Sequence, residues 1–141
     1  MLNGEKYSFV PKVDRSGEIS YAPYLPIRLS YRERSIDVMG LLDTGASMNV
    51  LPYEIGLQLG AVWDQQTFII SLSGNLADIE ARALLLSGTV SSFSPVNLAF
   101  AWTRQKNIPL ILGRLNFLAE FDVCFYVSEL GFEIAPKQSH S

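Results

Sequence analysis

Asp43-Thr44-Gly45-Ala46-Ser47 places one carboxylate at a sharp corner between two apolar runs, Leu41-Leu42 before it and Val50-Leu51 after it. A carboxylate held rigidly beside an apolar interior loses hydration that a solvated turn would keep, so the position calls for a compensating partner. Asp followed two residues on by Gly is also ordinary turn chemistry, and the triplet alone does not separate the two readings. Competing chemistries are poorly supplied. The one histidine, His140, stands in a polar stretch next to the last residue, which disfavours His-dependent triads and histidine-rich metal sites. No P-loop pattern occurs, and no GxGxxG follows a strand. Cys124 sits in the apolar, aromatic run Phe121 to Tyr126 and reads as a small buried hydrophobe. Carboxylate chemistry remains, and it requires neither a metal nor a cofactor.

The elements that must position Asp43 are short. Pro23 and Pro26 interrupt the apolar residues between Ile19 and Tyr31 and suit strand edges or bends. Arg34 to Leu42 reads as a strand leading into Asp43. Pro52 to Gly60 has proline at its start and glycine at its end, the pattern of a short helix, with Gly56 weakening its middle. Thr67 to Leu72 and Leu76 to Leu86 flank the turn signal Ser73-Gly74-Asn75 and predict a hairpin. Further strands are expected at Pro95 to Trp102, Ile108 to Leu112, Phe121 to Val127 and Phe132 to Ile134. Arg114 to Glu120 carries Leu115, Leu118 and Ala119 at helical spacing. Residues 1–17 read as a loosely held N-terminal arm, 18–135 as the folded domain, and 136–141 as a polar tail. Many short strands with frequent turn signals predict an all-β barrel or sandwich.

Leu41-Leu42-Asp43-Thr44-Gly45-Ala46-Ser47 resembles the active-site strand and loop of the retropepsin-like aspartic peptidases. Pro109-Leu110-Ile111-Leu112-Gly113-Arg114 resembles the family's second hallmark, apolar residues followed by glycine late in the domain. The hairpin between them lies where that family has its flap. The resemblance spans roughly Tyr21 to Ile134. It implies a closed acid-protease-type β-barrel with one or two short helices and a flap hairpin. It also implies an aspartic endopeptidase in which Asp43 acts as shared acid and base, Thr44 locks the active-site loops of two chains together, and Gly45 lets substrate backbone approach. Ser71, Leu72, Ser73, Gly74 and Asn75 would cover the substrate, and Ile111, Leu112 and Gly113 would line its pockets.

The triplet occurs once in 141 residues. An aspartic peptidase needs two carboxylates sharing a proton, so the resemblance implies a homodimer with two Asp43 residues beside a two-fold axis. The family pattern is not matched throughout. The hairpin turn has one glycine, and Ser47 stands where retroviral enzymes often carry an acid that pairs with the arginine after the late glycine. A peptide or protein substrate is expected. The net charge of −3 offers no footprint for nucleic acid, and no apolar stretch is long enough to cross a bilayer. Met1 to Val10 lack the basic start and apolar core of a signal peptide, so a cytoplasmic protein is expected. Two other functions stay open: a dimeric peptide-binding or regulatory module of the same fold with weak catalysis, and an unrelated barrel that binds a small ligand.

Overall fold

A computed structural model of the chain describes residues 3–72 and 79–138. Twelve strands, one short α-helix and several single 3-10 turns make an all-β architecture among the described residues. Six strands close a ring: β4 (Tyr24–Tyr31), β5 (Arg34–Leu42), β10 (Ile111–Leu112), β6 (Asn49–Pro52), β9 (Val96–Thr103) and β8 (Glu80–Thr89), which returns to β4. Closure depends on the length of β8. Its far end, Ser87 to Thr89, pairs with β4, while its near end, Glu80 to Arg82, pairs with β7 (Ile69–Ser71). Pro26 lies in the part of β4 that β8 does not reach, so its missing N–H interrupts no ladder on that side.

The alternation in β4 turns Leu25, Ile27 and Leu29 into the barrel. They meet Leu84, Leu86, Leu98, Phe100 and Leu112 in one continuous core. Helix α1 (Tyr53–Gln58) closes the barrel beside β9. Gly56, a weak helix former, is needed there. A Cβ at that position would stand 2.3 Å from the Trp102 ring, so only glycine lets the helix approach. Tyr53 stacks on Trp102, and Trp63 meets both rings edge-on, 5.2 Å from Trp102. The guanidinium groups of Arg82 and Arg104 each lie 4.6 Å from the centre of a Trp63 ring. Arg82 also donates to the Trp63 carbonyl at 2.7 Å.

Two expectations are corrected. Residues 1–17 are not a loose arm throughout: β1 (Glu5–Ser8) pairs with β12 (Gly131–Pro136), and β2 (Val10–Val13) pairs with β3 (Ile19–Ala22). With β11 (Phe121–Tyr126) they form a three-stranded sheet, β1-β12-β11, whose Phe132 and Ile134 join the barrel core. Pro136 accordingly belongs to β12 rather than to the polar tail. The helix expected over Arg114 to Glu120 shrinks to a 3-10 turn at Phe117–Ala119. The amides of Arg114 and Leu115 are bonded to Ala46 and Ser47 instead, and Asn116 has non-helical dihedrals. The amides of a first turn are free in any helix, so the break at Asn116 is what ends the expected helix.

A buried carboxylate fastens the residue just before β1, beside the ladder with β12. Glu133 of β12 accepts from the Gly4 N–H at 2.8 Å and from the Tyr126 hydroxyl at 3.0 Å. The Gly4 bond, helped by the Tyr126 hydroxyl, holds the Glu133 carboxyl below the usual glutamate range despite its burial. The same contact pushes Tyr126 up to about 12. The folded Glu133 therefore titrates below the unfolded one. Its stabilisation is fully present above the unfolded value of about 4.3 and is lost as pH falls through the folded value. Amide exchange of Gly4 to Ser8 is expected to accelerate as pH drops through that window, beyond the intrinsic trend. Glu133→Gln is expected to abolish this extra step.

Candidate active site

Strand β5 delivers Asp43 to the end of the barrel, and β6 carries the chain away from it. These two strands do not pair with each other. Strand β10 inserts between them, parallel to β5 through Ile111↔Leu41 and Leu112↔Leu42, and antiparallel to β6 through Ile111↔Val50. Leu41 N donates to Leu110 O at 2.8 Å, and Asp43 N donates to Leu112 O at 3.1 Å. The loop from Asp43 to Met48 bridges the inserted strand. Its far side is fastened by the residues after β10: Arg114 N donates to Ala46 O at 2.9 Å and Leu115 N to Ser47 O at 3.0 Å. The two sequence motifs are thus bonded to each other along their backbones.

Gly113 is the point of closest approach. A Cβ there would lie 2.3 Å from the Met48 carbonyl oxygen, so any side chain would push the two motifs apart. Its N–H donates to Asn49 Oδ1 at 2.8 Å in a buried position. Asn49 Nδ2 in turn donates to Ala99 O at 3.1 Å and to Asn116 Oδ1 at 2.8 Å, and Asn116 Oδ1 also accepts from Ala99 N at 2.8 Å. This pair of amides joins β6, β9 and the segment after β10. Sequence reasoning missed both residues. The only signal was their position, Asn49 at the start of β6 and Asn116 three residues after Gly113.

Asp43 is half-buried as a residue, while Thr44 and Gly45 are exposed. Its Oδ1 accepts from Gly45 N at 3.0 Å, and Ala46 N bonds to the Asp43 carbonyl at 3.2 Å. A carboxylate held by its own loop backbone has few orientations open to it. Arg114, which lacks the acid that Ser47 replaces, directs Nη1 toward Thr44 O at 3.4 Å and makes no ion pair among the described residues. A groove of about 730 Å³ runs along Tyr31, Leu85, Leu98 and Asn116.

The remaining candidates fall in different places. Ile111 is half-buried, Leu112 is packed wholly into the core and lines no open pocket, and Gly113 is buried against Met48. Ser71 is exposed on β7. Leu72 is buried with Ala81 and Ala101, and Met48 packs against that cluster, so Leu72 ties the hairpin arm to the Asp43 loop. The arms of the expected hairpin do pair, Ile69↔Arg82 through Ser71↔Glu80. Ser73, Gly74 and Asn75 lie outside the described residues. No group of three or more His, Cys, Asp or Glu side chains able to hold a metal occurs among the described residues, and no described helix is long and apolar enough to cross a membrane.

No family model matches the sequence, and no curated protein matches it. Among solved structures, the chain is similar to the crystal structure of a retropepsin-like aspartic protease from Rickettsia conorii. The TM-score is 0.58 at 18% identity, and the match covers 95% of this chain and 94% of that one. The chain has the retropepsin-like fold.

Removing the amide at position 49 leaves the buried Gly113 N–H without an acceptor. Asn49→Ala is expected to cost about 1–3 kcal/mol in urea unfolding. Asn116→Ala should be destabilising too, and the double variant should fall short of the sum because both belong to one network.

Proposed function

We propose that this chain is one subunit of a homodimeric aspartic endopeptidase, in which water is activated between two Asp43 carboxylates. The observation that carries this reading is the Asp43 loop itself: a carboxylate oriented by the Gly45 N–H, on a loop bonded by its backbone to the Arg114 to Leu115 segment. The retropepsin-like fold and the single Asp-Thr-Gly triplet support it.

Two carboxylates brought together across a two-fold axis cannot both ionise, so they hold one proton between them. The ionised member takes a proton from water as it attacks the scissile carbonyl carbon. The protonated member donates to the carbonyl oxygen, and the tetrahedral species collapses by protonating the departing amine. No bond forms between enzyme and substrate. Thr44, exposed beside Asp43, would hold the paired loops together, and Gly45 would leave room for substrate backbone. The hairpin built on β7 and β8 would cover the peptide and exclude water. Apolar side chains beside the cut bond are the expected preference.

A mixed peptide library incubated at pH 4 to 7 tests the proposal. Cleavage is expected from the wild type and blocked by a statine-type transition-state mimic. Asp43→Ala should lower it by about 10² to 10⁴, the usual worth of general acid–base catalysis. A dimer that binds peptides without cutting them would replace this reading with the peptide-binding module, which the single glycine in Ser73-Gly74-Asn75 favours. Retained cleavage by Asp43→Ala would eliminate both.

A further inference from the structure

The β2–β3 ribbon is amphipathic in the wrong sense for a lone subunit. Its register pairs Val10 with Ala22, Pro11 with Tyr21, Lys12 with Ser20 and Val13 with Ile19. Side chains alternate across a strand, so Pro11, Val13, Ile19 and Tyr21 share one face and Val10, Lys12, Ser20 and Ala22 the other. The face carrying Lys12 turns toward the barrel. Val10 and Ala22 are half-buried, and the Lys12 ammonium lies 4.6 Å from the Tyr24 ring centre. The all-apolar face points away and is open to solvent, with Val13 68%, Ile19 55% and Tyr21 47% exposed. No third strand joins the ribbon among the described residues. A two-stranded ribbon with one apolar face left open is marginally stable in water.

The position of the ribbon indicates what covers it. Pro23, immediately after β3, accepts from Leu42 N at 3.0 Å, and Tyr24 pairs with Leu41. The ribbon therefore leaves the barrel at the end that carries Asp43. If two Asp43 loops meet across an axis, a second copy stands at that end. The loop alone cannot hold it there. A stable interface covers about 800 Å² per partner and some 20–30 residues, far more than exposed Thr44 and Gly45 supply. Leu115, 69% exposed and bonded through its backbone to Ser47, adds an apolar side chain to the same end.

We infer that the apolar face of the ribbon, Pro11, Val13, Ile19 and Tyr21, docks on the Asp43 end of a second copy of this chain and supplies much of the dimer contact. The inference rests on the two-carboxylate reading above, but its readout does not depend on catalysis. Sedimentation equilibrium over a dilution series, on the full chain, measures the dimer dissociation constant. Ile19→Asp and Val13→Asp are expected to raise it at least tenfold, with circular dichroism unchanged and a melting temperature equal to that of dilute, dissociated wild type. Ser20→Asp, on the opposite face, should stay within about twofold. A second measurement needs no variant: the amides of residues 10–22 should exchange slowly in concentrated wild type and quickly in dilute wild type.

A dimer unaffected by Ile19→Asp and Val13→Asp, or equal ribbon exchange at both concentrations, overturns the contact and leaves the two-carboxylate mechanism standing. Dimer loss in the variants together with a wild type that cleaves nothing confirms the contact and removes the mechanism. A wild type monomeric at every concentration overturns both.

Discussion

A strand inserted between two others must satisfy hydrogen bonds on both its edges, and at β10 only two residues are available to do it. Buried backbone groups left unpaired cost too much to tolerate. The segment meets the requirement by extending its bonding beyond the strand: Leu110 O and Leu112 O bond to β5, and Arg114 N and Leu115 N to the Asp43 loop. Asn49 supplies an acceptor for Gly113, where the backbone alone offers none. The geometry of the carboxylate follows from this backbone arrangement. Asp43 is held by peptide groups that cannot move without breaking several bonds at once, not by a neighbouring charge.

The same constraint explains what was legible in the sequence. Leu41 to Ser47 and Leu110 to Arg114 are visible because insertion of β10 demands apolar residues, a small loop and a glycine in fixed order. Gly56 is visible as an oddity in a helix, but its reason, the Trp102 ring beside it, comes from the far side of the barrel. Asn49 and Asn116 are invisible because buried amides and surface amides look alike in a sequence. Arg114 to Glu120 misleads because helical spacing says nothing of Asn116, whose side-chain amide is drawn to Asn49 and Ala99 and whose backbone is non-helical. Glu5-Lys6-Tyr7-Ser8 looks like a solvated arm since three of its four side chains are exposed. Its strand character comes from β12, and its anchoring from the carboxylate of Glu133, a residue type seldom expected inside.

Burial also redistributes the roles expected of the hairpin and of the late motif. Leu72 and Leu112 are core residues, each joining an element of the site to the body of the barrel. Exposed Thr44 and Ser71, with half-buried Asp43 and Ile111, remain in contact with the surroundings. Neighbouring residues of one motif thus differ in burial, so framework and exposed positions alternate within a few residues.

The cluster formed by Tyr53, Trp63 and Trp102 has an optical consequence. The chain has two tryptophans, and their rings lie 5.2 Å apart. At that separation their transitions couple, and the tryptophan dichroism and emission of the protein arise from one place. Arg82, over Trp63, belongs to the part of β8 that pairs with β7. Light absorbed by this pair therefore reports on the root of the hairpin, and a change in its emission can signal movement there while the rest of the barrel stays folded.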